Sequence, residues 1–185
     1  LFRSMIRVPS FLMTICQFLH RHYQAMPIVV GGAVRDGLLG LDVKDVDVEV
    51  FGITEKQLEE GLSQFGTVGY VGRSFGVYKL MREGCCYDFS LPRLDEKIGV
   101  GHRGFLVHVD GALAYEQAAK RRDFTINSMG FNVLTGALLD PYQGQSDLSS
   151  SVLRHVSDAF VEDPLRVLRG VQFCARFNLS MHADT

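Results

Sequence analysis

The apolar run Ile28-Val29-Val30 ends at the glycine pair Gly31-Gly32, and the segment Asp45-Val46-Asp47-Val48-Glu49-Val50 follows it closely. Acids alternating with valines have a period of two, which a strand separates onto opposite faces. The valine face needs a core. The acid face needs water, a cation or a ligand. Between the two segments, the glycines open a turn into a helix and let the backbone approach a bound group closely. A helix opening there directs N–H groups toward phosphate. Asp45 and Asp47 share one face and repel each other unless a cation lies between them. Mg2+ suits such an oxygen pair and also bridges nucleotide phosphates. Asp45 and Asp47 are therefore candidate metal ligands, with Gly31, Gly32 and Arg35 beside phosphate, for metal-dependent chemistry on a nucleoside triphosphate. Two solvated aspartates on an edge strand are the bland alternative, and the glycine pair at this spacing weighs against it.

A chain of 185 residues can bury one core and begin a second unit. Its net charge of −2 excludes a globally basic nucleic-acid binder, so any polyanion site must be local. Cys16, Cys85, Cys86 and Cys174 contain no C-x-x-C spacing. That argues against zinc and a disulfide framework and points to a reducing compartment, the cytoplasm. The apolar run from Phe11 to Leu19 is too short to span a bilayer. Arg3 and Arg7 precede it as in a signal peptide, but no small-residue cleavage site follows, and an amphipathic helix is expected. The chain starts at Leu1 and stops at Thr185. A fragment or processed product, with a further C-terminal region, is the expectation.

Helices are expected over 10–25, 33–39, from Thr54 to about Phe65, and over 115–120; Thr54-Glu55-Lys56-Gln57 has the form of a capping box. Strands are expected over 28–30, 44–51, 68–71, 76–82 and 86–91, with a hairpin around Thr135-Gly136. The segment 92–105, with Gly99, Gly101 and Gly104, reads as a mobile loop beside a site. Beyond Pro141 the β signals stop; Asp163 and Pro164 open a last helix running to about Asn178. The expected fold is α+β, a mixed sheet flanked by helices over 1–143, then a helical segment, 144–185, that is cut short.

Further candidates lie outside the two opening segments. Asp88, an acid in the apolar strand Tyr87–Leu91, is either a third site carboxylate, as metal ligand or general base, or an outward-facing strand residue. Arg121 and Arg122, in the basic run from Lys120 to Asn127, have the chemistry to clamp triphosphate oxygens. In the same run, Asp123 and Asn127 suit either the site or a turn. Asp163 and Arg166 stand three apart at a helix start. They form either an N-cap with a salt bridge or a fixed edge that reads a base. A carboxylate beside a guanidinium matches the amino group and adjacent acceptor of cytosine and adenine. Arg169 and Arg176, further along that helix, either meet phosphate or serve as surface or neck salt-bridge residues.

Taken in order, Val30 to Gly40, Asp45-Val46-Asp47, Lys120 to Asn127, Asp140-Pro141-Tyr142 and Glu162 to Arg169 resemble the class II tRNA nucleotidyltransferase and bacterial poly(A) polymerase family. The resemblance covers residues 27–179. It implies the nucleotidyltransferase head and the start of a neck, acting on the 3′ end of tRNA or another RNA with CTP and ATP, and releasing pyrophosphate. It further implies that Asp45 and Asp47 bind two Mg2+ ions, one activating the RNA 3′ hydroxyl and one holding the triphosphate. Arg121, Arg122 and Asp123 match the basic motif beside the nucleotide, Asp163 and Arg166 the amino-acid template for CTP and ATP, and 93–105 the flexible loop. Asp88 stands where the family has a glutamate, and its following Ser90-Leu91-Pro92-Arg93 departs from the family pattern. The family's body and tail helices would lie beyond Thr185. A poly(A) polymerase, a CC- or A-adding enzyme, and a non-catalytic nucleotide- or RNA-binding module are the alternatives. A structural α/β domain with coincidental motifs is the remaining one. Oligomeric state is left open.

Overall fold

The computed structural model describes residues 8–71, 76–82, 84–97, 99 and 105–185. Helix α1 (Ser10–Tyr23) buries Leu12, Ile15, Cys16 and Leu19, a spacing that lines one helical face. Arg3 and Arg7, singled out in the sequence, lie outside the described residues. Strand β1 (Met26–Val30) runs into Gly31 and helix α2 (Gly32–Leu38), and β2 (Asp45–Phe51) returns antiparallel to β1. Helix α3 (Glu55–Leu62) opens with the expected reciprocal cap. Gln57 N donates to Thr54 Oγ1 at 3.3 Å, and Thr54 N donates to the Gln57 side chain at 2.9 Å. A short 3-10 turn then leads to β3 (Gly69–Val71), β4 (Val77–Arg82) and β5 (Cys85–Ser90).

β5 pairs parallel with β2 while β3–β4 and β4–β5 are antiparallel. The segment after β5 forms a separate antiparallel pair, β6 (Arg93–Lys97) with β7 (Phe105–Val109). Much of the expected loop over 92–105 is therefore strand, and its glycines at 101 and 104 lie outside the described residues. Helix α4 (Tyr115–Ala119) precedes β8 (Gly130–Asn132) and β9 (Leu138–Leu139), which complete a seven-stranded sheet in the order β3-β4-β5-β2-β1-β8-β9.

The two faces of β2 differ as the alternation requires. Val46, Val48 and Val50 enter the main core with Leu12, Ile15, Leu58, Tyr87 and Phe89. On the other face Phe51 joins Ile28, Val30 and Tyr115 in a smaller cluster against α4. Past residue 143 come α5 (Gly144–Ser149), β10 (Val152–Leu153), a 3-10 turn over 158–162, α6 (Leu165–Phe177) and β11 (Ser180–Met181). This segment is mainly helical, as expected, with one detail no local pattern announces: β10 and β11 pair in parallel. Phe124, Phe160 and Phe173 bury a third cluster that joins α6 to the strand side.

Candidate active site

Along the open face of β2 the surroundings change every second residue. Phe51 and Glu49 are buried, and Asp47 and Asp45 are exposed. Register places Asp47 opposite Asp88 on β5, and Asp45 opposite Cys86. Adjacent strands lie about 4.8 Å apart, so Asp47 and Asp88 are immediate neighbours on one face. Asp88 in turn faces Lys79 on β4 and accepts from its Nζ at 2.5 Å; Cys86 Sγ donates to the other oxygen at 3.2 Å. The Asp47 carboxyl sits above the usual carboxylate range although it touches solvent. Desolvation by the surrounding protein is the first cause, Asp88 and Glu49 add to it, and Arg122 and Lys79 oppose it. A bound divalent cation would reverse that shift.

This donor set fits a hard divalent ion. Two exposed carboxylates alternate on one strand, while the third, Asp88, is already paired with Lys79. Among the described residues no group of three His, Cys, Asp or Glu side chains is close enough to hold an ion. Asp45 and Asp47 would therefore share the ion with phosphate oxygens and water, as Mg2+ accepts readily.

Gly31 stands at the strand-to-helix corner with φ 70° and ψ −134°. A Cβ there would lie 3.0 Å from Arg122 Nη1, and one at Gly32 would lie 3.4 Å from Arg35 Nη2. The corner is thus shaped around two guanidinium groups. Arg121 and Arg122 each donate through Nη2 to the same oxygen, Glu49 Oε1, at 2.6 and 2.7 Å. Arg121 Nη1 lies 3.9 Å from Asp95 Oδ2 on β6. Burial pulls the Arg121 guanidinium down to about 10 against the support of Glu49. Burial also acts against Arg122, but Glu49 outweighs it and holds the group up; the two arginines together keep Glu49 below its ordinary value. The sequence offered this pair as a triphosphate clamp or a solvated charge run, and the structure sets both arginines on a buried acid. Glu49 was the missed residue, and the third acid of the alternating run was the signal for it. Lys79 was missed too, and only strand register reveals it.

The other candidates form one connected polar chain. Arg35, 4% exposed, is held by Asp36 Oδ1 at 2.7 Å and donates through Nη1 to Asn127 Oδ1 at 2.5 Å. Its guanidinium carbon lies over the rings of Phe173 and Phe177 on α6, at 5.1 and 4.5 Å. Asn127 Nδ2 donates to Asp123 Oδ1 at 3.1 Å, and Arg169 Nε donates to Asp123 Oδ2 at 2.7 Å. Arg35 is thus turned inward, as a tie between α2 and α6. At the α6 entrance the cap position falls on Pro164 rather than on the expected Asp163, which stands one residue earlier and accepts from Leu165 N at 3.0 Å through Oδ1. Arg166 makes no ion pair with Asp163. It donates instead to the carbonyls of Ala159 at 3.0 Å and Arg121 at 2.8 Å, which fixes its guanidinium between the turn over 158–162 and the arginine pair. Lys97 of β6 donates to the carbonyl of Glu162, so the β6–β7 pair reaches this entrance as well.

Comparison with known proteins bears on this geometry. The profile of the family described as Poly A polymerase head domain matches residues 28–154. The Multifunctional CCA protein of Stenotrophomonas maltophilia (strain K279a) is 46% identical over 151 residues, covering 80% of this chain and 35% of its own length. The chain therefore spans about a third of the length of that curated relative. A structure of the Thermotoga maritima CCA-adding enzyme complexed with tRNA_CCA superposes with a TM-score of 0.75 at 26% identity, covering 98% of this chain and 41% of that one. A complex of a CCA-adding enzyme with CTP gives 0.77 at 26% identity, covering 99% and 41%. No helix among the described residues is long and apolar enough to cross a membrane.

Proposed function

The chain belongs to the family of poly A polymerase head domains, and from that premise we propose that it is the catalytic head of a tRNA nucleotidyltransferase, adding CMP and AMP from CTP and ATP to an RNA 3′ end. The observation that carries the reading is the open β2 face, where Asp45 and Asp47 stand beside Asp88 with a buried arginine pair behind them. The likeness to a Multifunctional CCA protein and to CCA-adding enzymes solved with CTP and with tRNA supports the substrate choice. The head would extend to about residue 143 and the neck over 144–185, in a cytoplasmic protein whose described cysteines are all free.

In the reaction the RNA 3′ oxygen forms a bond to the α-phosphorus as the bond to the β-phosphate oxygen breaks, and pyrophosphate leaves. Divalent ions, Mg2+ in this reading, supply Lewis-acid activation of the hydroxyl and neutralise charge on the triphosphate when bound. Asp45 and Asp47 would hold them. Asp88, neutralised by Lys79, shapes that face as a paired neighbour of Asp47 rather than as an independent base. Gly31 and Gly32 leave room for the triphosphate, and Arg121 and Arg122 supply positive charge behind it. Asp123, Asn127, Arg35 and Arg169 brace the floor of the site. Asp163 and Arg166 present the base-reading edge, accepting from an amino group and donating to the neighbouring ring acceptor.

The test is extension of a tRNA transcript lacking its 3′ CCA with CTP plus ATP in Mg2+, beside Asp47→Asn. Addition that stops after C, C and A, lost in the variant, is expected. A long A tract would reassign the chain to poly(A) synthesis. Failure of the wild-type chain both to extend and to bind CTP with Mg2+ refutes the reading.

A further inference from the structure

Glu49 is the most deeply placed charge on the open face of β2, 2% exposed, and the comparisons give it no role. Phe51, two residues further along β2, enters the same face as buried core, and the β1 register partner of Glu49, Ile28, is fully buried. A charge kept there demands a reason, because burying one is costly unless it is paired and hydrogen-bonded. The pairing is lopsided. Both guanidinium groups share Oε1, while Oε2 and the Nε atoms of Arg121 and Arg122 have no hydrogen-bond partner among the described residues. A carboxylate can accept on both oxygens, and each of two arginines could use a separate one. Sharing one oxygen instead draws the two cations together, side by side, with Arg122 Nη1 packed beneath the Gly31 corner.

Two adjacent guanidinium groups repel, and each long side chain is entropically costly to hold. A buried anion between them removes both obstacles before a ligand arrives. We propose that Glu49 is a positioning residue that holds Arg121 and Arg122 together as a preorganised cationic pair for the triphosphate of the incoming nucleotide. The pair and its acid carry a net single positive charge, which a triphosphate complements and a monophosphate complements far less. Preorganisation of this kind strengthens binding by reducing what must be ordered on contact. The proposal rests on the nucleotidyltransferase reading and deepens it by assigning the selectivity for triphosphate to a residue that never touches it.

The experiment compares binding of CTP and of CMP, with KM and kcat for CTP, in the wild-type chain, Glu49→Gln and Glu49→Asp. Glu49→Gln is expected to weaken CTP binding and raise its KM about tenfold, the loss of charged hydrogen bonds, with kcat and CMP affinity little changed. Glu49→Asp, which keeps the charge on a shorter arm, should recover part of that loss. If Glu49→Gln does not fold, Glu49→Asp alone decides: a loss confined to CTP supports the proposal. Equal weakening of CTP and CMP marks a merely structural residue and overturns it, as does a CTP preference that survives Glu49→Gln. A wild-type chain with no preference for CTP over CMP overturns the nucleotidyltransferase reading along with it.

Discussion

Replacing Gly31 by alanine tests whether the strand-to-helix corner is built around the arginine pair. Its φ of 70° and ψ of −134° lie where side chains with a Cβ are strained, a cost of about 1–3 kcal/mol. The added Cβ would meet Arg122 Nη1 at 3.0 Å. A guanidinium on a flexible arm can swing away, but this one is held through its other nitrogen to Glu49 at 2.7 Å. Moving it sacrifices part of a charge-assisted hydrogen bond, whose typical worth is about 1.5–3 kcal/mol. Gly40 supplies the control, since it also has φ 70° and nothing among the described residues lies within 4 Å of where its Cβ would stand. Gly40→Ala should cost only the strain, about 1–2 kcal/mol. The excess for Gly31→Ala is then about 2 kcal/mol, which at a urea slope of about 2 kcal/mol/M separates the two midpoints by about 1 M. The chain has no tryptophan, so far-UV circular dichroism is the signal to follow. Coincident midpoints for the two variants would refute the claim that Arg122 is packed against the corner.

Two other outcomes are expected. Cys16 is fully buried on α1, and burial pushes its thiol up to about 12 from a usual value of 9.0, so at neutral pH a thiol reagent should label Cys85, Cys86 and Cys174 while Cys16 reacts only on unfolding. Because the folded state keeps that proton longer than the unfolded one, Cys16 contributes stability that is present below about pH 9 and lost on approach to 12; Cys16→Ala should flatten the alkaline stability slope, and an unchanged slope would contradict the burial. Asp163→Ala should blur the choice of CTP and ATP over UTP and GTP and cost about 1 kcal/mol as a lost hydrogen bond to Leu165 N. Selection that stays strict in a folded variant would remove Asp163 from base reading.

Much of this fold is legible in short-range patterns. The alternation from Asp45 to Val50 identifies a strand, and Leu12, Ile15, Cys16 and Leu19 follow the spacing of a helix stripe. Thr54 and Gln57 cap each other as their sequence spacing suggests. What escapes such reading depends on register and on distant partners. The Lys79–Asp88 pair exists because β4 and β5 align those two residues, and nothing near either one announces it. Arg121 and Arg122 lie 72 and 73 residues from Glu49, so a basic run reads as a triphosphate clamp or a solvated charge run until the sheet brings the acid beneath it. Likewise the two-residue strands β10 and β11 are too short to carry a periodic signal. The expected loop after β5 hid its strands because Arg93, Asp95 and Lys97 alternate charge rather than hydrophobicity.

The polar chain from Asp36 through Arg35, Asn127 and Asp123 to Arg169 bears on how such proteins can be recombined. A chimera that joins the first 143 residues of one parent to the later segment of another would look, by sequence, like a cut through an unstructured seam. It would in fact divide this chain, leaving Arg169 and the rings of Phe173 and Phe177 from one source to meet Asp123 and Arg35 from another. Successful hybrids should therefore inherit these positions as a set, and a failed one should be repairable by restoring Arg169 together with both rings rather than by changing any residue that touches the nucleotide.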